Sequence, residues 1–317
     1  MSDTAILLVA LAILAHLVAD FVFQTDAIAE AKAAVDGRAW QGLGIHTAIV
    51  AACLLPFVAA YGQRGLAYLV VVSAAHAAID RTKVLLNRRA IAASNTRPAA
   101  TTLPASGPGL DPGSGSADAV ATPATGPPMA PAPDAPDAPG DRAWTPLPAM
   151  LFLADQAAHF VVIIVGASVL LLGQSTLTAW KDAVHAVGGH LLPVAHQVPA
   201  LVVLVVLLDL AIINIRGGVF LVGTLLAPRG FSSGSEPGPE RVGATIGVLE
   251  RLIVCVLVLA GQSAAIGFVI AAKTLARFRQ LDDRHFAEYY LVGTLASVTL
   301  ALATSLVATA AIGAALR

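Results

Sequence analysis

The chain has 317 residues, of which 57% are hydrophobic and only 12% charged, with a formal net charge of −1 and a mean hydropathy of +0.78. A soluble domain carries about twice that charged fraction, so the composition excludes an ordinary soluble protein and makes the lipid bilayer the first expected partner. The balanced charge, with no basic patch interleaved with aromatics, excludes nucleic acid. The two cysteines, Cys53 and Cys255, sit singly in apolar runs and exclude a disulfide framework.

Crossing a bilayer takes about 20 apolar residues. Such stretches occur at residues 4–24, 43–62, 65–87, 149–172, 199–226, 248–272 and 288–314. The expected fold class is therefore all-α, a polytopic transmembrane bundle of about seven helices. The first stretch lacks a basic leader and a small-residue cleavage site, so it reads as a retained helix rather than a signal peptide. The fifth is interrupted by Asp209, Asn214, Arg216 and Gly217-Gly218, and reads as either a kinked span or a broken helix.

Residues 90–148 hold 13 of the 19 prolines and no basic residue between Pro98 and Gly140. Such a composition buries too little apolar surface to offset backbone ordering, which predicts a disordered, cytoplasmic Pro/Ala-rich linker. It separates residues 1–89, with three helices, from residues 149–317, with four. Residues 174–197, with His185, His190 and His196, read as an interfacial loop with solvated histidines, and residues 228–241 as a second flexible loop.

Three of the apolar stretches carry a histidine and an aspartate four residues apart: His16/Asp20, His76/Asp80 and, in reverse order, Asp155/His159. Residues four apart share one helix face. Gln24 follows the first pair by one turn, Lys83 follows the second, Gln156 lies inside the third, and His46 opens the second helix. With alternating spans, all of these fall towards one membrane face. The aspartates then form a shallow layer over a deeper layer of His16, His76 and His159, and His46 joins either one. Lys32, Arg38, Arg81, Lys83, Arg88, Arg89, Arg97 and Arg142 collect on that face, against Arg64 and Lys181 on the other. The positive-inside bias makes it cytoplasmic and the protein multi-pass in the bacterial inner membrane. The last connection, with Lys273, Arg277, Arg279 and Arg284, breaks this pattern, because seven alternating spans place it outside.

At these motifs the chain resembles a bacterial family of integral membrane proteins catalogued as a domain of unknown function, with the pattern H-x-x-x-D-F-x-x-Q, a later histidine, H-x-x-x-D-x-x-K and D-Q-x-x-H. Here these are His16, Asp20, Phe21 and Gln24; His46; His76, Asp80 and Lys83; and Asp155, Gln156 and His159. Longer members share a C-terminal region similar to Ile246 through Tyr289. A looser resemblance links the His/Asp helices to membrane-bound metal-dependent hydrolases.

Three readings of the cluster stand side by side. In the first, His16, Asp20, His46, His76, Asp80, Asp155 and His159 ligate one or two divalent ions, Zn²⁺, Mn²⁺ or Fe²⁺, and Gln24 and Gln156 orient the ligands. Asp20 or Asp80 instead serves as general base, and Lys83, with Arg81, meets an anionic headgroup, giving hydrolysis of a membrane-associated or phosphorylated substrate. In the second, the same chain of groups carries protons or cations across the membrane. In the third, the His–Asp pairs are polar glue in a non-enzymatic scaffold. A homo-oligomer or protein partner is left open.

The C-terminal half has its own polar set, Glu250, Arg251, Gln262, Lys273, Arg277 and Glu288. Adjacent residues point to different helix faces, so Glu250 and Arg251 need separate partners. Gly243 and Gly247 have the spacing of a close helix contact. Lys273, Arg277 and Arg279 are expected at lipid headgroups, with Phe278, Tyr289 and Tyr290 as interfacial anchors.

Overall fold

The computed structural model describes residues 3–95, 146–178, 180, 182, 194–226 and 240–317. Among these no strand occurs. Helix α1 spans Asp3–Val18 and runs on through a π-helical turn, Ala19–Phe23. It is followed by α2 (Asp26–Ala33), α3 (Arg38–Tyr61), α4 (Gln63–Asn95) and α5 (Leu147–Leu170). Then come α6 (Val194–Ile212), a second π-helical turn (Ile213–Gly217), α7 (Gly218–Leu226), α8 (Glu240–Leu259), α9 (Ile266–Ala276) and α10 (Arg284–Ala315).

Among the described residues five helical paths, not seven, are long and apolar enough to cross a membrane: Asp3–Phe23, Arg38–Tyr61, Leu147–Leu170, Val198–Leu226 and Phe286–Ala315. Their outer faces carry large exposed apolar side chains at helical spacing, such as Val161, Val165 and Val169 on α5. The expected third span is a helix that outruns its apolar stretch and reaches Asn95, inside the segment expected as linker. The rest of that linker, the loop at 228–239 and the side chains of His185, His190 and His196 lie outside the described residues.

Helix α1 is apolar all round because it is packed on two sides. One face, with Leu8, Ala12 and Ala19, joins Val50 and Leu54 of α3, Tyr68 and Val72 of α4 and Ile163 and Ala167 of α5. The other, with Ile6 and Ala10, joins Val202 and Val206 of α6, Val254 and Val258 of α8 and Ala301 and Ala308 of α10. So α5, although it follows the linker, completes the first bundle, and α1 belongs to both. The fifth stretch is one continuous path through its π-helical turn. Cys53 and Cys255 are free thiols, as expected.

The sixth expected span is not one continuous helix. After α8 the chain turns at Gly261, whose φ of +72° suits a residue without Cβ. Helix α9 then lies back along α8: Ile266 packs in the cluster of Val254 and Val258, and Lys273 Nζ reaches Glu250 Oε2 at 2.5 Å. Helix α10 consequently starts at the end where α7 finishes. A Cβ on Gly293 would stand 3.0 Å from Leu226 Cδ1, Asn214 Nδ2 donates to Thr304 Oγ1 at 3.1 Å, and Ala315 packs in one cluster with Ile6. The connection bearing Arg277, Arg279 and Arg284 thus lies at the same end of the bundle as the last turn of α1. The apparent break in the charge pattern came from counting a doubled-back helix as a span.

Among the described residues the expected close helix contact at Gly243 and Gly247 is also absent. A Cβ on Gly243 would meet nothing within 4 Å, and one on Gly247 would meet only Arg251 of its own helix. The close approach is at Gly218, where a Cβ would stand 2.5 Å from Arg251 Nε.

Candidate functional site

Four helices bring the predicted polar side chains to one point. His46 lies eight residues inside α3 and Asp155 eight residues inside α5. At 1.5 Å per residue, that is about 12 Å below the helix starts. His16 comes from the last turn of α1 and Asp20 from the π-helical turn that extends it. His76 and Asp80 face them from α4, and His159 lies one turn beyond Asp155. All four histidines are at most 3% exposed, and Asp80 and Asp155 are buried at 5% and 6%.

His46 Nε2 and His76 Nε2 stand 2.9 Å apart. Asp20 Oδ1 lies 3.3 Å from the first and 3.4 Å from the second, and Asp80 Oδ2 lies 3.5 Å and 3.7 Å from them. His16 stacks on His159 with ring centroids 4.9 Å apart, and His76 and His159 are 4.2 Å apart. Three donor groups have ligand atoms within 4.8 Å of one another: His16, Asp20 and His76; His46, His76 and Asp80; and Asp80, Asp155 and His159. The groups share members, so all seven residues form one connected cluster. His46 meets Asp20, Asp80 and His76, members of both expected layers.

Two lysines close the cluster. Lys83 Nζ reaches Asp155 Oδ2 at 2.7 Å, and Gln156 Nε2 donates to the same oxygen at 3.1 Å. Lys32 Nζ donates to Asp80 Oδ2 at 2.8 Å and to Gln24 Oε1 at 2.6 Å. Arg81, by contrast, stands over the Trp40 ring, 5.0 Å from its centroid, rather than beside Lys83. With neutral imidazoles, three carboxylates against two ammoniums leave a net charge of −1. The cluster favours a cation.

Many of its atoms have no hydrogen-bond partner although they are buried. These are both ring nitrogens of His16, Nδ1 of His46 and of His76, Nε2 of His159, and Oδ1 of Asp20 and of Asp155. Buried polar atoms are rarely left unpaired, because each costs about 1–3 kcal/mol. So many around one point leave donor atoms that could hold a metal ion.

The sequence reading missed the role of Lys32 and treated it only as a basic residue near the membrane face. Its position depends on α2, a short helix capped by Thr25 Oγ1, which accepts from the Ile28 N–H. This helix packs on α3 at Gly42, where a Cβ would stand 2.7 Å from both Ala31 Cβ and the Lys32 nitrogen. The cap pattern Thr25-Asp26 ahead of alanines was the available signal.

Residues 7–99 match a family model described as a protein of unknown function (DUF3307). The match runs through α1–α4 and takes in His16, Asp20, Gln24, Lys32, His46, His76, Asp80 and Lys83, but not Asp155 and His159. No curated protein and no solved structure matches the chain.

Proposed function

We propose that this chain is a multi-pass protein of the bacterial inner membrane whose His/Asp cluster binds a divalent metal ion near the cytoplasmic face, in the service of hydrolysing a membrane-associated or phosphorylated substrate. The metal reading is carried by the spacing of His46 Nε2 and His76 Nε2, 2.9 Å apart, with Asp20 Oδ1 at 3.3 and 3.4 Å and Asp80 Oδ2 at 3.5 and 3.7 Å from them. Ligands of a tetrahedral Zn²⁺ at about 2.0–2.1 Å from the ion stand about 3.3 Å apart. Hydrogen bonding alone accounts for the arrangement poorly, since two Nε2 atoms facing each other share one proton while both Nδ1 atoms stay unpaired.

His46, His76 and one of Asp20 and Asp80 would hold the ion, which would supply a Lewis acid and, with a position left open, acidify a bound water. The chain's own groups supply the rest. A carboxylate oxygen of Asp20 or Asp80 accepts a proton, Gln24 and Gln156 orient Lys32 and Asp155, and Lys83 presents a positive charge to an anionic substrate group. The cytoplasmic assignment is supported by Lys32, Arg38, Arg81, Lys83, Arg88 and Arg89, joined by Arg277, Arg279 and Arg284 at the same end of the bundle.

Elemental mass spectrometry of the purified chain tests the reading. One or two equivalents of a transition metal are expected, lost in an Asp80→Ala/His159→Ala variant of matched folding. Absence of bound metal after reloading with Zn²⁺ and Mn²⁺ removes it. A second reading, proton or cation transport, draws support from carboxylates already neutralised by Lys32 and Lys83 beside imidazoles, the kind of chain that carries protons in membranes. Under that reading, ion flux into liposomes disappears with Asp20→Asn.

A further inference from the structure

A second polar centre lies in the other half of the molecule. Arg251 of α8 is 3% exposed. Its Nε donates to the backbone oxygen of Asn214 in the second π-helical turn at 2.7 Å, and its Nη1 donates to Ser297 Oγ of α10 at 3.3 Å. Its Nη2 is buried and unpaired. Among the described residues no carboxylate lies within ion-pair distance of it. The adjacent Glu250 is taken by Lys273. Glu250, Arg251, Lys273, Thr294 and Ser297 line one pocket between α8, α9 and α10.

The pocket therefore holds two cations and one carboxylate, a net charge of +1, inside an apolar bundle. A buried cation without a counter-ion is costly in a membrane, where such groups pair with one another or mark a ligand. A planar guanidinium with a free N–H, an ammonium nearby and two hydroxyls match the oxygens of a phosphate group. The outer wall of the pocket is α9, which is too short to span. Phe268 and Leu275 on it and Phe278 just after it are 79%, 77% and 66% exposed. Val269, Ile270 and Lys273 of α9 line the pocket, and the face of α9 turned away from it is an apolar surface of the kind that faces acyl chains.

We propose that Arg251, with Lys273, Thr294 and Ser297, binds one monoanionic phosphate group, supplied by the phosphodiester of an anionic phospholipid. The site is separate from the His/Asp cluster and stands whether or not that cluster binds metal. Arg251 reads the phosphate, Lys273 and Glu250 set the net charge, and the doubled-back α9 holds the lipid chains.

The test uses the full chain, delipidated in a non-ionic detergent. It is titrated with phosphatidylglycerol, phosphatidylcholine or inorganic phosphate, and bound ligand is counted by native mass spectrometry. One phosphatidylglycerol per chain is expected, held more tightly than phosphatidylcholine. Loss of the charged donor should weaken it about tenfold or more in Arg251→Gln. Lys273→Gln, which takes the pocket to zero net charge, should weaken it too, while Glu250→Gln, which takes it to +2, should strengthen it. These two variants keep the test open if Arg251→Gln does not fold. Saturable binding of inorganic phosphate alone, with the same ordering of variants, supports the site and overturns its lipid source. No saturable binding, or equal binding in wild type, Lys273→Gln and Glu250→Gln, overturns the proposal.

Discussion

Arg216 Nε donates a hydrogen bond to the backbone oxygen of Phe21 at 3.0 Å, and this contact ties the two π-helical turns to each other. The first turn carries Asp20 into the His/Asp cluster, and the second carries the Asn214 carbonyl that receives Arg251. π-Helical turns inside α-helices are rare and concentrate at functional sites. Here each one aims a polar group that a regular α-helix would point elsewhere. The two buried polar centres therefore share a support at the seam between the two packed faces of α1.

Arg216→Ala should lower stability by about 1–2 kcal/mol, because it removes a charge-assisted bond and leaves a carbonyl at the seam without its donor. Thermal unfolding in detergent measures this. The same variant should weaken metal retention at Asp20, whose backbone lies next to the lost bond. Unchanged melting and unchanged metal content together would show that the seam carries no load.

Lys32→Gln should raise divalent-metal affinity. The ammonium stands 2.8 Å from Asp80 Oδ2, one of the donor atoms proposed for the ion, and competes with any cation there. A gain of about tenfold corresponds to about 1.4 kcal/mol, a modest part of one buried ion pair. Competition titration with a chromophoric zinc chelator reads it. A fall in affinity instead would make Lys32 a supporting residue of the ligand set rather than a competitor.

Gly42→Val should displace α2. With a Cβ only 2.7 Å from Ala31 Cβ and the Lys32 nitrogen, the larger side chain forces the two helices apart. Overpacking of this kind costs about 1–3 kcal/mol. Lys32 then loses its reach to Asp80, so the variant should share the metal phenotype of Lys32→Gln while melting lower. A melting temperature equal to that of wild type would contradict the packing.

The doubled-back α8–α9 hairpin makes a topological prediction. In a background with Cys53 and Cys255 replaced by alanine, single cysteines at Asp36 and Arg279 should both react with an impermeant maleimide applied to the same membrane face. A cysteine at Gly173, at the other end of α5, should react only from the opposite face. Labelling of positions 36 and 279 from opposite sides would restore the seven-span arrangement.

The helical character of the chain, five of its seven expected apolar spans and the seven His/Asp members of the cluster follow from sequence alone. Apolar run length reports on the bilayer, and a four-residue spacing keeps His16 and Asp20, or Asp155 and His159, on one helix face whatever surrounds them. Apolar run length did not reveal where a run turns back, because the break Gly261-Gln262-Ser263 is short beside the apolar residues around it, and the reversal is made there by the positive φ of Gly261 and the 3-10 turn Ser263–Ala265. Nor could it show that Lys32 enters the cluster, that α5 completes the first bundle, or that Gly218 rather than Gly243 admits a close neighbour. Those depend on which surfaces meet. Local pattern sets what each helix can bury, but only the packed arrangement decides which residues, tens or hundreds of positions apart, share the buried charge.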